Sequence, residues 1–335
     1  MSGRRAPTTG PYVVPLDLPV PPRRPLKVAF VVNPTARHGR SRAAQARLPE
    51  RARALGLDAA FFTTERPRHG VDLARAAAPD YDLVVAVGGD GTVHETATGL
   101  VLAGDACRAA LGVLPFGTGN DFAKLLGAGH PAGERKAKGE AALDALVGAP
   151  ERAFDYAWLR WTNADGSTGE EPFVNAVGLG FDGYIATLAP RYKALGGTLA
   201  YVAAVFAALG GFRPPHAQIT VDGAPYADGP VYLVTAANGT CSGGGFYLTP
   251  NARADDGLLD VCALDGVTIP RLLWLLPKAL RGRHLGQRDV RFRQGCSLEA
   301  TFAQPVAVHT DGEVQSDAVV QARVEIVPGG LRVRG

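Results

Sequence analysis

Methionine occurs once, tryptophan three times and cysteine four times in the 335 residues. Cys107, Cys241, Cys262 and Cys296 form no CxxC pair and follow no regular spacing, which argues against a disulfide framework and a structural zinc site. Four reduced thiols of a cytoplasmic protein are expected. Neither sign of charge prevails: 35 basic against 32 acidic residues leave +3, too little to argue for a nucleic-acid partner. No HxxxH pair is present. Residues 1–25 are rich in Pro and Arg, lack the apolar core of a secretory signal, and are expected to form a flexible tail. Long apolar runs are scarce too. Residues 194–212 carry no charge over 19 residues. Glycine pairs at both ends cut the helical centre to residues 198–209, roughly 18 Å at ~1.5 Å per residue against a ~30 Å hydrocarbon core. A buried or membrane-facing helix is expected there rather than a span.

Gly (42) and Pro (25) are abundant, so tight turns are expected. From Leu26 strands and helices alternate. Residues 27–32 and 82–87 are continuous apolar runs, the pattern of strands buried on both faces of a parallel sheet. Further strands are expected at 58–63 and 108–114, with helices at 41–55, 70–78 and 93–102. This alternation implies right-handed crossovers and a doubly wound layer. After residue 149 the rhythm changes to short strands at 154–161, 218–221, 231–236, 258–264, 298–302 and 320–327, with helical stretches near 185–210 and 268–282. The expected organisation is a tail (1–25), an α/β lobe (26–150) and a β-rich, mostly antiparallel lobe (151–317), with a cleft between the lobes. Residues 318–335 are expected to pack back on the first lobe.

Glycine-rich loops follow the buried strands of the first lobe, at the sheet edge where ligands bind in open α/β folds. Glycines let the chain approach a ligand closely, and a following helix N-terminus favours negative charge, so a phosphate is the natural occupant. The dinucleotide fingerprint GxGxxG and the phosphate loop GxxxxGK[ST] are both read as absent; what stands there is Gly88-Gly89-Asp90-Gly91-Thr92. Taken singly, this could be an Asp-Gly turn capping a helix. Asp255-Asp256-Gly257 could likewise be a surface turn, and Asp311-Gly312-Glu313 a hairpin turn.

Taken together and in order, the blocks resemble one family. Asn33-Pro34-Thr35, Gly88–Thr92 with Glu95, Gly117-Thr-Gly-Asn-Asp-Phe122, residues 173–182, Ala237-Asn-Gly through Gly245, residues 250–260 and Asp311–Glu313 are similar to the diacylglycerol kinase catalytic domain. That family includes bacterial soluble lipid kinases, sphingosine kinases and ceramide kinase; the glycine loop is more distantly similar to that of NAD kinases and phosphofructokinases. The resemblance spans roughly residues 27–327. It implies a phosphofructokinase/NAD-kinase-like doubly wound lobe followed by a β-rich lobe, and an ATP- and Mg²⁺-dependent kinase phosphorylating a lipid hydroxyl, foremost that of diacylglycerol. Asn33, Pro34, Thr35, Thr64 (or its neighbour Thr63), Gly88, Gly89, Asp90, Gly91, Thr92, Glu95, Gly117, Thr118 and Asn120 would bind the nucleotide. Asp90, Asp121 and Asp256 would belong to an acidic network linking magnesium and water to the nucleotide site, and Asp256 with the carbonyls of Arg253 and Leu258 would form a structural metal site. Oxygen ligands at such positions suit a hard cation. Glu313 would be the general base.

His94 stands where many relatives carry Asn and reads as a helix-surface residue near the nucleotide. Residues 268–280, with Leu272-Leu-Trp-Leu-Leu276 followed by Lys278, Arg281, Arg283, Arg288, Arg291 and Arg293, suit transient contact with an anionic membrane, or equally a core helix with a solvated basic face. A cytoplasmic enzyme that visits the membrane, with a possible homodimer, is expected. The alternatives are a sphingoid-base, ceramide or phosphatidylglycerol kinase, a kinase of a soluble acceptor such as an NAD kinase, and a non-catalytic nucleotide-binding regulator.

Overall fold

A computed structural model describes residues 24–39, 42–126, 140–195, 197–243 and 245–335. The expected tail lies, but for residues 24 and 25, outside the described residues. In the first lobe β1 (Lys27–Val32), β2 (Asp58–Thr63), β3 (Leu83–Gly88) and β4 (Ala110–Pro115) form a parallel sheet in the order β4-β3-β1-β2. Alternate side chains explain why β1 and β3 are apolar throughout. Val28, Phe30, Leu83, Val85 and Val87 pack with Leu48, Ala52, Leu143 and Leu146 on one face. Ala29, Val31, Val84 and Ala86 pack with Ala74, Val93, Ala97 and Leu100 on the other. The expected helix at 41–55 is two helices, Arg42–Gln45 and Leu48–Ala54. Pro49 opens the second, where its missing N–H costs nothing.

The second lobe contains β5 (Glu151–Asn163), β6 (Thr168–Phe173), β7 (Ala176–Gly180), β8 (His216–Val221), β9 (Ala224–Ala237), β10 (Leu259–Asp265), β11 (Val290–Gly295), β12 (Ser297–Thr310) and β13 (Glu313–Arg334). All pairings among these strands are antiparallel, along the path β11-β10-β9-β7-β12-β13, with β8 bridging β9 and β12 and β5 joining β13 to β6. Their inward residues form one core. The sequence Gly178-Leu-Gly-Phe-Asp-Gly183 does match GxGxxG, but it leaves an antiparallel strand and so lacks the βαβ context of dinucleotide binding. Residues 197–208 are a 12-residue helix, and among the described residues no helix is long and apolar enough to cross a membrane.

One strand joins the lobes. β13 pairs with β12 and β5 along most of its length, then its last residues pair in parallel with β4, Val333 opposite Leu111. Leu331 and Val333 are buried in the core of the first lobe. The first-lobe sheet is therefore completed by the C-terminus of the chain.

Leu331→Ala is expected to cost about 2–4 kcal/mol, the range for truncating a buried leucine. Because β13 is shared, urea unfolding followed by tryptophan fluorescence and by far-UV circular dichroism should give one coincident transition at a lower midpoint. Two separated transitions would mean that the lobes are energetically independent.

Candidate active site

The carboxyl ends of β1, β3 and β4 are held level by backbone bonds: Asn33 N–H donates to the Val87 carbonyl (3.0 Å) and Phe116 N–H to the Gly88 carbonyl (2.7 Å). The Asn33 side chain organises the edge. Its amide donates to Thr92 Oγ1 at 3.1 Å, and its carbonyl accepts from Thr35 N–H at 3.0 Å and Thr35 Oγ1 at 2.8 Å. Pro34 is fixed through its carbonyl, which accepts from Arg42 Nε at 3.3 Å. Thr64 follows β2, its N–H donating to the Val32 carbonyl at 2.9 Å. Gly89 is the N-cap of helix Asp90–Leu102, with no side chain satisfying its first amides. Those amides face the side of the sheet where an anion would be stabilised.

Glycine is required where two loops meet. A Cβ on Gly89 would lie 3.1 Å from the Gly117 Cα, and one on Gly117 would press on the Gly89 backbone. Asn120 closes the second loop, accepting from Gly117 N–H and donating to the Gly117 carbonyl, both at 3.0 Å. Thr118 is exposed between them.

Asp90 Oδ1 accepts the N–H of Asp121 at 2.6 Å and of Phe122 at 3.4 Å, so the first glycine loop caps the helix that follows the second. Burial, and then the charge of Asp121, raise the Asp90 carboxyl to about 6. Asp121 is itself buried and accepts from Lys124 Nζ at 2.6 Å. A pair of carboxylates this poorly solvated favours a cation, and a hard divalent ion with oxygen ligands fits. Among the described residues no group of three His, Cys, Asp or Glu side chains is placed to hold a metal ion, so carbonyls, phosphate oxygens and water would complete such a shell. Arg253, Asp256 and Leu258 share one loop between β9 and β10. Their loop is tied by Asp256 Oδ1, which accepts Leu258 N–H at 3.1 Å. Buried Asp155 accepts Gly257 N–H and Gly329 N–H, each at 2.7 Å.

Glu313 begins β13, directly after the Asp311-Gly312 turn. Its Oε1 would lie 2.8 Å from a Cβ on Gly91, which places the carboxylate against the first glycine loop although 222 positions separate the two residues. A small cleft opens beside them, with Asp90, Asp121, Asn175, Ser242 and Asp311 among its walls.

Two residues differ from their sequence-based reading. Glu95 turns away from the loop: its oxygens accept Arg68 N–H at 2.9 Å and Gly70 N–H at 2.8 Å, capping helix His69–Ala77. His94 is not on the surface. It is 2% exposed, with Nδ1 2.9 Å from Asp311 Oδ2 and Nε2 3.2 Å from Glu171 Oε1; the second is an ion-pair separation rather than an aligned hydrogen bond. Glu171 also receives both arms of Arg68 at 3.0 Å. Neither Arg68, Asp155 nor Glu171 was indicated by sequence, because isolated charges on half-buried strands and loops have no motif.

Burial alone would push the His94 ring down, but Asp311 and then Glu171 outweigh it and raise its pKa to about 9 from 6.5. The folded value is the higher one, so the stabilisation is complete below about pH 6.5 and is lost as pH rises through about 9. The loss amounts to roughly 3 kcal/mol at ~1.4 kcal/mol per unit. Urea unfolding at pH 6.5 and 9.5 should show this fall in the wild type and a flatter dependence in His94→Gln; equal slopes would contradict it.

Comparison with known proteins identifies the family. The profile of the diacylglycerol kinase catalytic domain matches residues 27–159, and that of the YegS C-terminal NAD kinase beta sandwich-like domain matches residues 175–335. The chain is 30% identical to the diacylglycerol kinase of Bacillus subtilis over 241 residues, 71% of this chain and 73% of that protein. It is 34% identical over 299 residues to a probable lipid kinase YegS-like of Chromohalobacter salexigens, covering 85% and 88%. Among solved structures, a Bacillus anthracis diacylglycerol kinase superposes with a TM-score of 0.65 at 22% identity, covering 92% and 96%. An Archaeoglobus fulgidus NAD kinase in complex with ATP does so with 0.51 at 14%, covering 92% and 94%. These last two carry the fold alone. With profiles matching both lobes and relatives at 30% and 34% identity along most of their length, the chain belongs to the diacylglycerol kinase and YegS-like lipid kinase family.

Proposed function

We propose that this protein transfers the γ-phosphoryl group of ATP to the hydroxyl of diacylglycerol, giving phosphatidic acid, with Glu313 as general base. The observation that carries this is the Glu313 carboxylate lying against Gly91 of the phosphate-type loop. A base there can accept the acceptor's O–H proton as that oxygen bonds to the γ-phosphorus and the bridge to ADP breaks. The amides at the start of helix Asp90–Leu102 and the backbones of Gly89 and Gly117 would hold the phosphates. Asp90 and Asp121 would hold Mg²⁺, which when bound offsets phosphate charge.

A lipid acceptor is supported by an apolar pocket lined by Phe181, Ile185, Val205, Phe246, Leu272 and Leu275, among others. Asp182 at its wall pairs with buried His309 at 3.1 Å, and His309 Nδ1 accepts Gly312 N–H at 3.2 Å, so cavity and base turn are joined. Helix Ile269–Ala279 buries Leu272 and Leu275 towards the cavity and exposes Ile269, Leu273 and Trp274, with Arg271 and Lys278 over the Trp274 ring at 4.3 and 4.2 Å. Helix Gly197–Ala208 exposes Leu199 and Phe206. Apolar side chains beside cations suit a peripheral contact with an anionic bilayer. The basic cluster is partly committed elsewhere: Arg291 bridges Asp265 at 2.7 and 3.0 Å, and Arg293 donates to the Pro225 carbonyl at 3.2 Å.

Transfer from γ-labelled ATP with Mg²⁺ to vesicles carrying diacylglycerol, a sphingoid base, ceramide or phosphatidylglycerol tests this. Diacylglycerol should be labelled, and Glu313→Gln should lower kcat by roughly 10²–10⁴-fold; labelling of another lipid would replace the acceptor, and none would overturn the proposal. Gly91→Ala should lower kcat at least about tenfold by displacing the Glu313 carboxylate, while thermal stability stays level or rises with the better helix former. An unchanged kcat would separate Glu313 from the reacting centre.

A further inference from the structure

The base turn has to be held against a loop that belongs to the other lobe. Asp311 does this within its own lobe. Oδ1 accepts Asn175 N–H and Ala176 N–H, each at 2.9 Å, and Oδ2 accepts Val174 N–H at 3.1 Å. Its own N–H donates to the Ala176 carbonyl at 2.8 Å. Across the lobes the contacts at this point are His94 on Asp311 and Glu171, and Arg68 on Glu171. His94 stands four residues after Asp90, on the first turns of the helix that begins with the glycine loop, and Asp311 stands two residues before Glu313. One ring thus bridges the helix that begins at the glycine loop and the turn that carries Glu313.

The chemistry of the ring fits that task. Both carboxylates accept only, so a ring facing one with each nitrogen is suited with both nitrogens protonated. A neutral side chain could satisfy one carboxylate and would leave the other buried with less compensation. The turn is braced on its far side by His309, which accepts from Gly312 N–H and faces Asp182 through Nε2. The exposed end of the Glu313 side chain depends on that fixed turn for its aim.

We propose that His94 is a positioning residue: a doubly protonated ring between Asp311 and Glu171 that sets where the Asp311–Glu313 turn stands relative to the nucleotide loop. The proposal rests on Glu313 acting as the base.

Three measurements test it. Amide hydrogen exchange in His94→Asn should rise at least tenfold at Val174, Asn175, Ala176, Gly312 and Glu313 and stay unchanged in β3. A uniform rise, or none, would overturn the proposal. Nitrogen NMR of the wild-type ring at pH 7.5 should show both nitrogens protonated; a neutral tautomer would overturn it. In the lipid assay, normalised to folded protein, His94→Asn should lower kcat 10–100-fold with KM for ATP within threefold. In a Glu313→Gln background the same change should cost less than threefold. Losses that multiply would assign His94 a role independent of the base. If Glu313→Gln alone keeps wild-type kcat, it is the assignment of the base that falls, and the exchange and NMR results still judge the positioning. Should His94→Asn not fold, Glu171→Gln removes one of the two carboxylates and should give the same exchange pattern and the same split between kcat and KM, whose absence would overturn the proposal.

Discussion

Everything at the centre of the molecule is referenced to one buried carboxylate. Asp311 collects three successive backbone amides from the segment entering β7 and the His94 ring from the other lobe. A buried carboxylate is costly unless donors surround it. Here burial pushes the group up, and His94 together with the amides of Ala176 and Val174 holds it below its ordinary value. Asp311 itself sits at φ 51°, the left-handed region that short side chains tolerate, so the turn is sharp and Glu313 emerges at a fixed place. This anchor ties the turn after β12 to the segment entering β7 and, through His94, to the glycine-loop helix.

The two lobes divide the task by architecture. The parallel sheet supplies glycine loops at one edge, because strands that all point one way bring their carboxyl ends together. The antiparallel lobe supplies a hairpin turn and an apolar cavity, because its long strands can fold a tip over that edge while helices cover a face. Strand β13 runs through both, starting at Glu313 and ending beside β4. A displacement of either lobe is therefore felt at Glu313 and at the first-lobe core alike.

Much of this was legible in the sequence. β1, β3 and β4 are apolar runs because both faces are buried, and the glycine loops followed from where those runs stop. Other features were hidden for physical reasons. His94 lies between Val93 and Ala97, so the pattern reads as one buried face and one wet face, yet the second lobe covers the other side and Thr92, His94, Thr96 and Thr98 are buried too. Glu171 follows Glu170 and precedes Pro172, which looks like a solvated edge. Strand alternation turns Glu170 out and Glu171 in, towards partners 103 and 77 positions away. β11 reads as a basic cluster, since Arg291 and Arg293 alternate with Val290 and Phe292. As an edge strand it uses those arginines on Asp265 and on carbonyls of the neighbouring hairpin. In each case the partner is distant in sequence, and only the fold supplies it.

The central claim is that the first glycine loop and Glu313 face one reacting phosphate. A crystal structure of the protein with Mg²⁺ and a non-hydrolysable ATP analogue tests it most directly. The account predicts the phosphates over residues 88–92 and 117–120, the terminal phosphate beside the Glu313 carboxylate, and the His94–Asp311 contact intact. Phosphates bound away from these loops, or Glu313 turned out of the cleft with nucleotide in place, would contradict it.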